Sequence, residues 1–189
     1  MITGKKILKF TIRTVLIIVA IYTLFYILMI VSCSKVKKYE DATDIKEAIR
    51  KVSGAYTHIP DTEELGTFES IKLYHKETKY ALWKIESLTL MVKYDATEFE
   101  NALNQINLKY AFLEGSRENL FEHRANIKGY TIQIVEKMQA DEFYNYPKCF
   151  LMIGTNAEDR SIIYMYHYDS ELDCIKDLED FIDKYYTFK

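Results

Sequence analysis

The chain has 189 residues, 49% hydrophobic and 28% charged, a balance that suits one folded domain and excludes a mainly disordered chain. Six Gly and two Pro exclude collagen-like and proline-rich sequence, and three Cys are too few for a disulfide scaffold. The formal net charge of −3 is unevenly spread: four of the 25 basic residues (Lys5, Lys6, Lys9, Arg13) precede Ser34, leaving 21 basic against 28 acidic residues beyond it, a net of −7. Such a surface is a poor match for nucleic acid, since phosphate binding needs clustered Lys and Arg.

The first element dominates the reading. Residues 14–31, TVLIIVAIYTLFYILMIV, carry no charge. A helix rising about 1.5 Å per residue makes them roughly 27 Å long, close to the hydrocarbon thickness of a bilayer. Val15, Leu16, Ile17, Ile18, Val19, Leu24, Phe25, Ile27, Leu28 and Ile30 form the expected anchor. Two membrane readings stand side by side. One is an uncleaved single-pass signal anchor, which the length of the segment favours. The other is a lipoprotein signal peptide: Ile30-Val31-Ser32-Cys33 resembles the bacterial lipobox, whose Cys receives the lipid. Basic residues flank the segment on both sides, so the positive-inside count is even-handed. The short cationic N-tail favours N-in, which places the domain outside the cytoplasm.

The expected organisation is an anchor or signal peptide over 1–34, a polar tether over 35–43, and one domain over 44–189. Asp44 opens a helical pattern through Ile45, Ala48, Ile49, Val52 and Tyr56. Residues 68–75 and 80–94 read as strands joined at Lys76–Lys79, with a bulge near Glu86 to reconcile Trp83 and Ile85 with the parity of Leu88. Thr97-Glu98-Phe99-Glu100 is a capping-box pattern before a stripe of Phe99, Leu103, Ile106, Tyr110 and Leu113, ending at Gly115. Residues 116–126 read as a loop or short helix. Tyr130–Ile134, 149–153 and 162–168 read as three further strands, the last two forming a hairpin across Asn156–Asp159. Ser170 is the expected cap of a last helix with Leu172, Ile175, Leu178, Phe181, Ile182 and Tyr185 on its buried stripe. The order α-β-β-α-β-β-β-α implies an α+β domain: an antiparallel sheet with helices on one face.

Chemistry is sparse. There is no P-loop, GxGxxG, GxSxG or HExxH, and His58, His75, His123 and His167 show no metal-ligand spacing, so no cofactor and no metal are expected. The densest polar cluster is His167-Tyr168-Asp169 with Glu171, candidates for a carboxylate-oriented His; the simpler reading is a strand-end His before a helix cap. Glu118, Glu122 and His123 converge only if residues 117–124 are helical, and a solvated loop is the default. Cys149 and Cys174 either pair or remain two core thiols. Tyr164, Tyr166 and Tyr168 share one sheet face, either as a binding surface or, more simply, under a helix.

From about Phe68 onward, Lys93-Tyr94-Asp95 before a capped helix, Lys109-Tyr110-Ala111-Phe112-Leu113, Gly129-Tyr130, Pro147–Gly154, and Ile163-Tyr164-Met165-Tyr166 leading to Asp169 and Leu172-Asp173 form a familiar sequence of elements. It is similar to uncharacterised small membrane-anchored proteins of low-GC Gram-positive bacteria. The resemblance implies a cell-envelope setting and supplies no site residue. The expected function is therefore a membrane-anchored, non-enzymatic binding module facing outward, whose partners are the membrane and a protein or envelope ligand. The alternatives are an envelope hydrolase using His167 or carboxylates, and an immunity-type protein whose acidic last third blocks a cationic toxin.

Overall fold

A computed structural model of the chain describes residues 4–30, 33–81, 83–113, 124–135, 148–170 and 178–187. Helix α1 (Gly4–Ile30) contains a stretch, Lys9–Ile27, of mean hydropathy 2.0, long and apolar enough to cross a membrane; none of it is buried against the rest of the chain. Its described threonines make few demands on a polar solvent. Thr14 and Thr23 donate to the carbonyls of Phe10 and Val19, four residues back, at 3.1 and 2.8 Å.

Strand β1 (Cys33–Tyr39) starts three residues after α1 ends. The polar stretch expected as a tether is thus largely sheet. Its exposed lysines suit an edge strand, where lysine is a common guard against sheet-to-sheet association. Helix α2 (Ala42–Lys51) follows, capped by Asp41, whose carboxylate accepts from Thr43 N at 2.8 Å and Asp44 N at 3.3 Å. It buries Ile45, Ala48 and Ile49, while Tyr56 lies beyond it and is exposed.

Strands β2 (Ser70–Lys79) and β3 (Lys84–Lys93) pair without interruption from Ser70↔Lys93 to Lys79↔Lys84. The turn therefore falls at Tyr80–Trp83, four residues later than expected, and no bulge occurs near Glu86. Helix α3 (Ala96–Lys109) is capped by Asp95, not Thr97, and ends at Lys109 rather than Gly115. Tyr110 turns extended, and Phe112 bridges to Val135. Strands β4 (Arg124–Ile127), β5 (Tyr130–Ile134), β6 (Lys148–Asn156) and β7 (Ser161–Asp169) complete the sheet, with β4 rising from residues expected to be loop or short helix. Helix α4 (Leu178–Tyr185) is the last element. Ser170 spends its hydroxyl on β3, accepting from Lys84 N and donating to Lys84 O at 3.0 and 2.9 Å.

The seven strands form one antiparallel sheet in the order β1-β2-β3-β7-β6-β5-β4. The α+β class holds, but the helices cover both faces. Helices α2 and α3 pack with Leu88, Leu90, Leu151, Ile153, Tyr164 and Tyr166 on one face. Helix α4 packs with Ile85, Phe150, Met152, Ile163 and Met165 on the other. The reason is visible in the strands: β6 and β7 are apolar on both parities, and a sheet with one wet face cannot accommodate that. It also removes any need for a bulge in β3, because Ile85 and Leu88 belong to different cores.

The tyrosine row of β7 is core. Tyr166 is fully buried and donates to Ser53 O at 2.7 Å, with His58 stacked on its ring at 5.9 Å. Gly54, at φ +76°, passes this hydroxyl so closely that a Cβ would fall 2.6 Å from it. Gly54→Ala is therefore expected to combine left-handed strain with loss of the Tyr166 hydrogen bond. It should cost about 1–3 kcal/mol in urea unfolding; an unchanged midpoint would show that the turn relaxes freely.

Candidate functional site

Pairing of β3 with β7 brings Ser87 opposite His167, and Asp169 lies two residues along β7 on the same face. The composition is that of a hydrolytic triad, which the sequence leaves undetected because 80 residues separate Ser87 from His167. The setting is that of a core. Ser87, His167 and Asp169 are 2%, 0% and 3% exposed.

Four rings enclose the imidazole. Phe150 of β6 lies 5.1 Å away between centroids, Phe181 of α4 4.7 Å edge-on, Tyr185 of α4 5.3 Å edge-on, and Tyr186 6.2 Å. Neither imidazole nitrogen makes a hydrogen bond among the described residues, and Asp169 Oδ2 is 3.9 Å from Nε2, beyond hydrogen-bond reach. Burial pushes the His167 pKa below its usual value, the Asp169 carboxylate pulling the other way. The ring is held neutral. Ser87 donates its hydroxyl proton to the Tyr185 carbonyl, so the trio fastens α4 to the sheet. While α4 is seated, the imidazole is sealed from solvent and Ser87 and Asp169 are nearly so. Glu171, the third sequence candidate, lies outside the described residues, as do Glu118, Glu122, His123 and Cys174.

A second polar cluster sits on the opposite face at the same end of the sheet. Glu86, 3% exposed, lies 3.4 Å from His75 Nε2 through Oε1 and 2.6 Å from Lys84 Nζ through Oε2. Burial raises the Glu86 pKa, but His75 and Lys84 together outweigh it and hold the carboxyl below its ordinary value. Lys84, its own pKa raised chiefly by the hydrogen bond to Glu86, also stands 5.6 Å above the Tyr168 ring. Sequence reasoning missed this cluster. The β2–β3 register creates it, and an expected turn four residues too early destroys that register. No group of three or more His, Cys, Asp and Glu suited to a metal occurs among the described residues.

Cys33, the candidate lipidation residue, is exposed at the first position of β1, opposite Lys79. Among the anchor residues, Val15, Leu16, Ile17, Ile18, Val19, Leu24, Phe25 and Ile27 are all exposed along α1. Leu28 and Ile30 continue the helix. Cys149 is half-buried in β6 opposite Tyr168. Comparison with protein-family models, with curated proteins and with solved structures finds no match to this chain.

Proposed function

We propose that the protein is a membrane-anchored binding module of the bacterial cell envelope, with its α+β domain on the extracytoplasmic side. The observation that carries the reading is α1: nineteen residues of mean hydropathy 2.0, wholly unburied by the domain. In water that surface is a liability of many kcal/mol, at about 25 cal/mol per Å² of apolar area; in a bilayer it is the driving force for insertion. The lipobox-like Ile30-Val31-Ser32-Cys33, whose family pattern belongs to lipoproteins that face outward, supports the outward orientation.

The domain supports a binding role rather than chemistry at His167, because the triad-like group there is sealed beneath α4. A doubly covered sheet whose first strand is separated from the anchor helix by two residues is a platform held close to the membrane in this reading. A protein or an envelope ligand is its partner in this reading.

Carbonate extraction and protease treatment of intact cells test placement. The full-length chain is expected in the membrane pellet, with the domain cut from outside. Recovery in the carbonate supernatant, or protection of the domain in intact cells, would overturn it. Mass spectrometry of the extracted protein then separates the two anchors: a diacylglyceryl Cys33 terminus marks the lipoprotein, an intact Met1 the uncleaved helix.

A further inference from the structure

We infer that the β2–β3 hairpin tip is a second membrane contact, in which Tyr80 and Trp83, flanked by Lys79 and Lys84, dock in the headgroup layer of the bilayer that holds the anchor. The inference rests on the membrane reading above.

Register fixes where the tip lies. Cys33 is paired with Lys79, and Lys79 with Lys84, so the start of β1 and the β2–β3 turn lie side by side at one end of the sheet. Paired strands keep their Cα atoms about 5 Å apart. Three residue steps separate Ile30 from Cys33, at most roughly 11 Å of chain. The headgroup region on each side of a bilayer is about 5–7 Å deep. The tip therefore cannot stand far from that layer. A lipidated Cys33 would leave the geometry unchanged, since the lipid would sit on the same strand end.

The chemistry at the tip fits. The turn is closed by Tyr80 N–H to the Trp83 carbonyl at 2.9 Å, and the two rings stack with centroids 5.1 Å apart. Both are half-buried, while Ala81 between them is exposed. Tyr80 leans on the core beneath α4, and Trp83 stacks on it, half-buried with its indole nitrogen covered. Tyr and Trp flanked by lysine are the side chains that concentrate at the membrane–water interface.

Among the described residues, lysines rim the tip. Lys35, Lys79, Lys84 and Lys148 stand at this end of the sheet, with Lys79 paired to Glu77 at 3.1 Å and Lys84 to Glu86 at 2.6 Å. Lysine at such a rim can bury its stem along the boundary and reach lipid phosphate with its ammonium.

Trp83 is the only tryptophan of the chain, so its fluorescence reads the tip directly. The full-length chain is reconstituted into phosphatidylcholine–phosphatidylglycerol vesicles, floated on a density gradient, and excited where tyrosine does not absorb. Lipids brominated at shallow or deep acyl positions serve as quenchers, and Trp83→Phe supplies the blank. The expected result is a blue-shifted Trp83 emission that is lost to shallow bromines more than to deep ones. Lys35→Glu with Lys79→Glu, both at exposed positions, should restore much of the lost emission. Chain that floats with unquenched Trp83, or with quenching strongest from deep bromines, overturns the hairpin contact and leaves the anchor standing. Unchanged quenching in the double variant overturns the lysine contribution. Chain that fails to float overturns both readings.

Discussion

A fragment that begins at Cys33 is expected to be soluble and monodisperse, and one that begins at Asp44 to aggregate. The second start is where composition alone places the domain boundary. It discards all seven residues of β1, each of which is paired with β2. Strand β2 then becomes the sheet edge, and the buried Ile71, Leu73 and Tyr74, interrupted by Lys72, Lys76 and Lys79, come to lie beside unpaired backbone groups. Tyr39 leaves the core it packs against. Asp41 is also lost, and removing such a cap costs about 1 kcal/mol in addition. Size-exclusion chromatography with light scattering and thermal unfolding of the two fragments measure the effect. Equal midpoints and equal monodispersity would mean that β1 is dispensable.

That boundary shows where sequence reasoning runs out. The anchor was legible because eighteen uncharged residues have few fates in water, and α1 runs through them as far as Ile30. The β6–β7 hairpin was legible because an apolar run, a polar Asn156–Asp159 link and a β-branched aromatic run are local signals. Register places the two strands as expected, Lys148↔Asp169 through Asn156↔Ser161. Edge strand β1 was not legible, because its exposure pattern is that of a solvated linker and only its partner makes it a strand. The second face of the sheet was hidden for a related reason. Period-two arguments assume one wet face, so Ile85 reads as out of phase with Leu88 when it marks a second core.

The polar clusters follow the same logic. His167 and Asp169 stand two residues apart, and a sequence can group them, but Ser87 and the rings of Phe150, Phe181 and Tyr185 reach them only through pairing and helix docking. Grouped by sequence they read as chemistry; grouped by structure they read as a buried fastening. The Glu86 cluster is the converse, invisible until β2 and β3 are in register.

Phe181→Ala is expected to destabilise the domain by about 3–5 kcal/mol, the usual cost of deleting a buried phenyl ring, and to flatten its response to acid. Phe181, 5% exposed, is the ring nearest His167 and also contacts Phe150, Tyr185 and Tyr186. The acid response follows from the depressed His167 pKa. Above about pH 6.5, the ordinary histidine value, folded and unfolded chains both hold the ring neutral. As the pH falls below it, the unfolded chain takes up a proton that the folded chain refuses. Stability therefore drops with falling pH, by at most about 1.4 kcal/mol per pH unit for one proton, until the lowered folded value is reached. Other ionisable groups near the ring are Asp169, which favours the proton, Lys148, which opposes it, and the phenols of Tyr185 and Tyr186, which burial pushes up and out of this range. Glu86 acts in a separate window. Its lowered pKa makes its contribution fade only as the pH falls below the ordinary carboxylate value of 4.5. Removing the Phe181 ring admits water to His167, brings its folded pKa toward the unfolded one, and shrinks the proton difference. Urea unfolding of the fragment from Cys33 between about pH 7 and pH 5, with His167→Phe as the reference that keeps an aromatic ring and loses the proton, decides the matter. An acid slope that survives unchanged in His167→Phe would place its origin elsewhere in the domain.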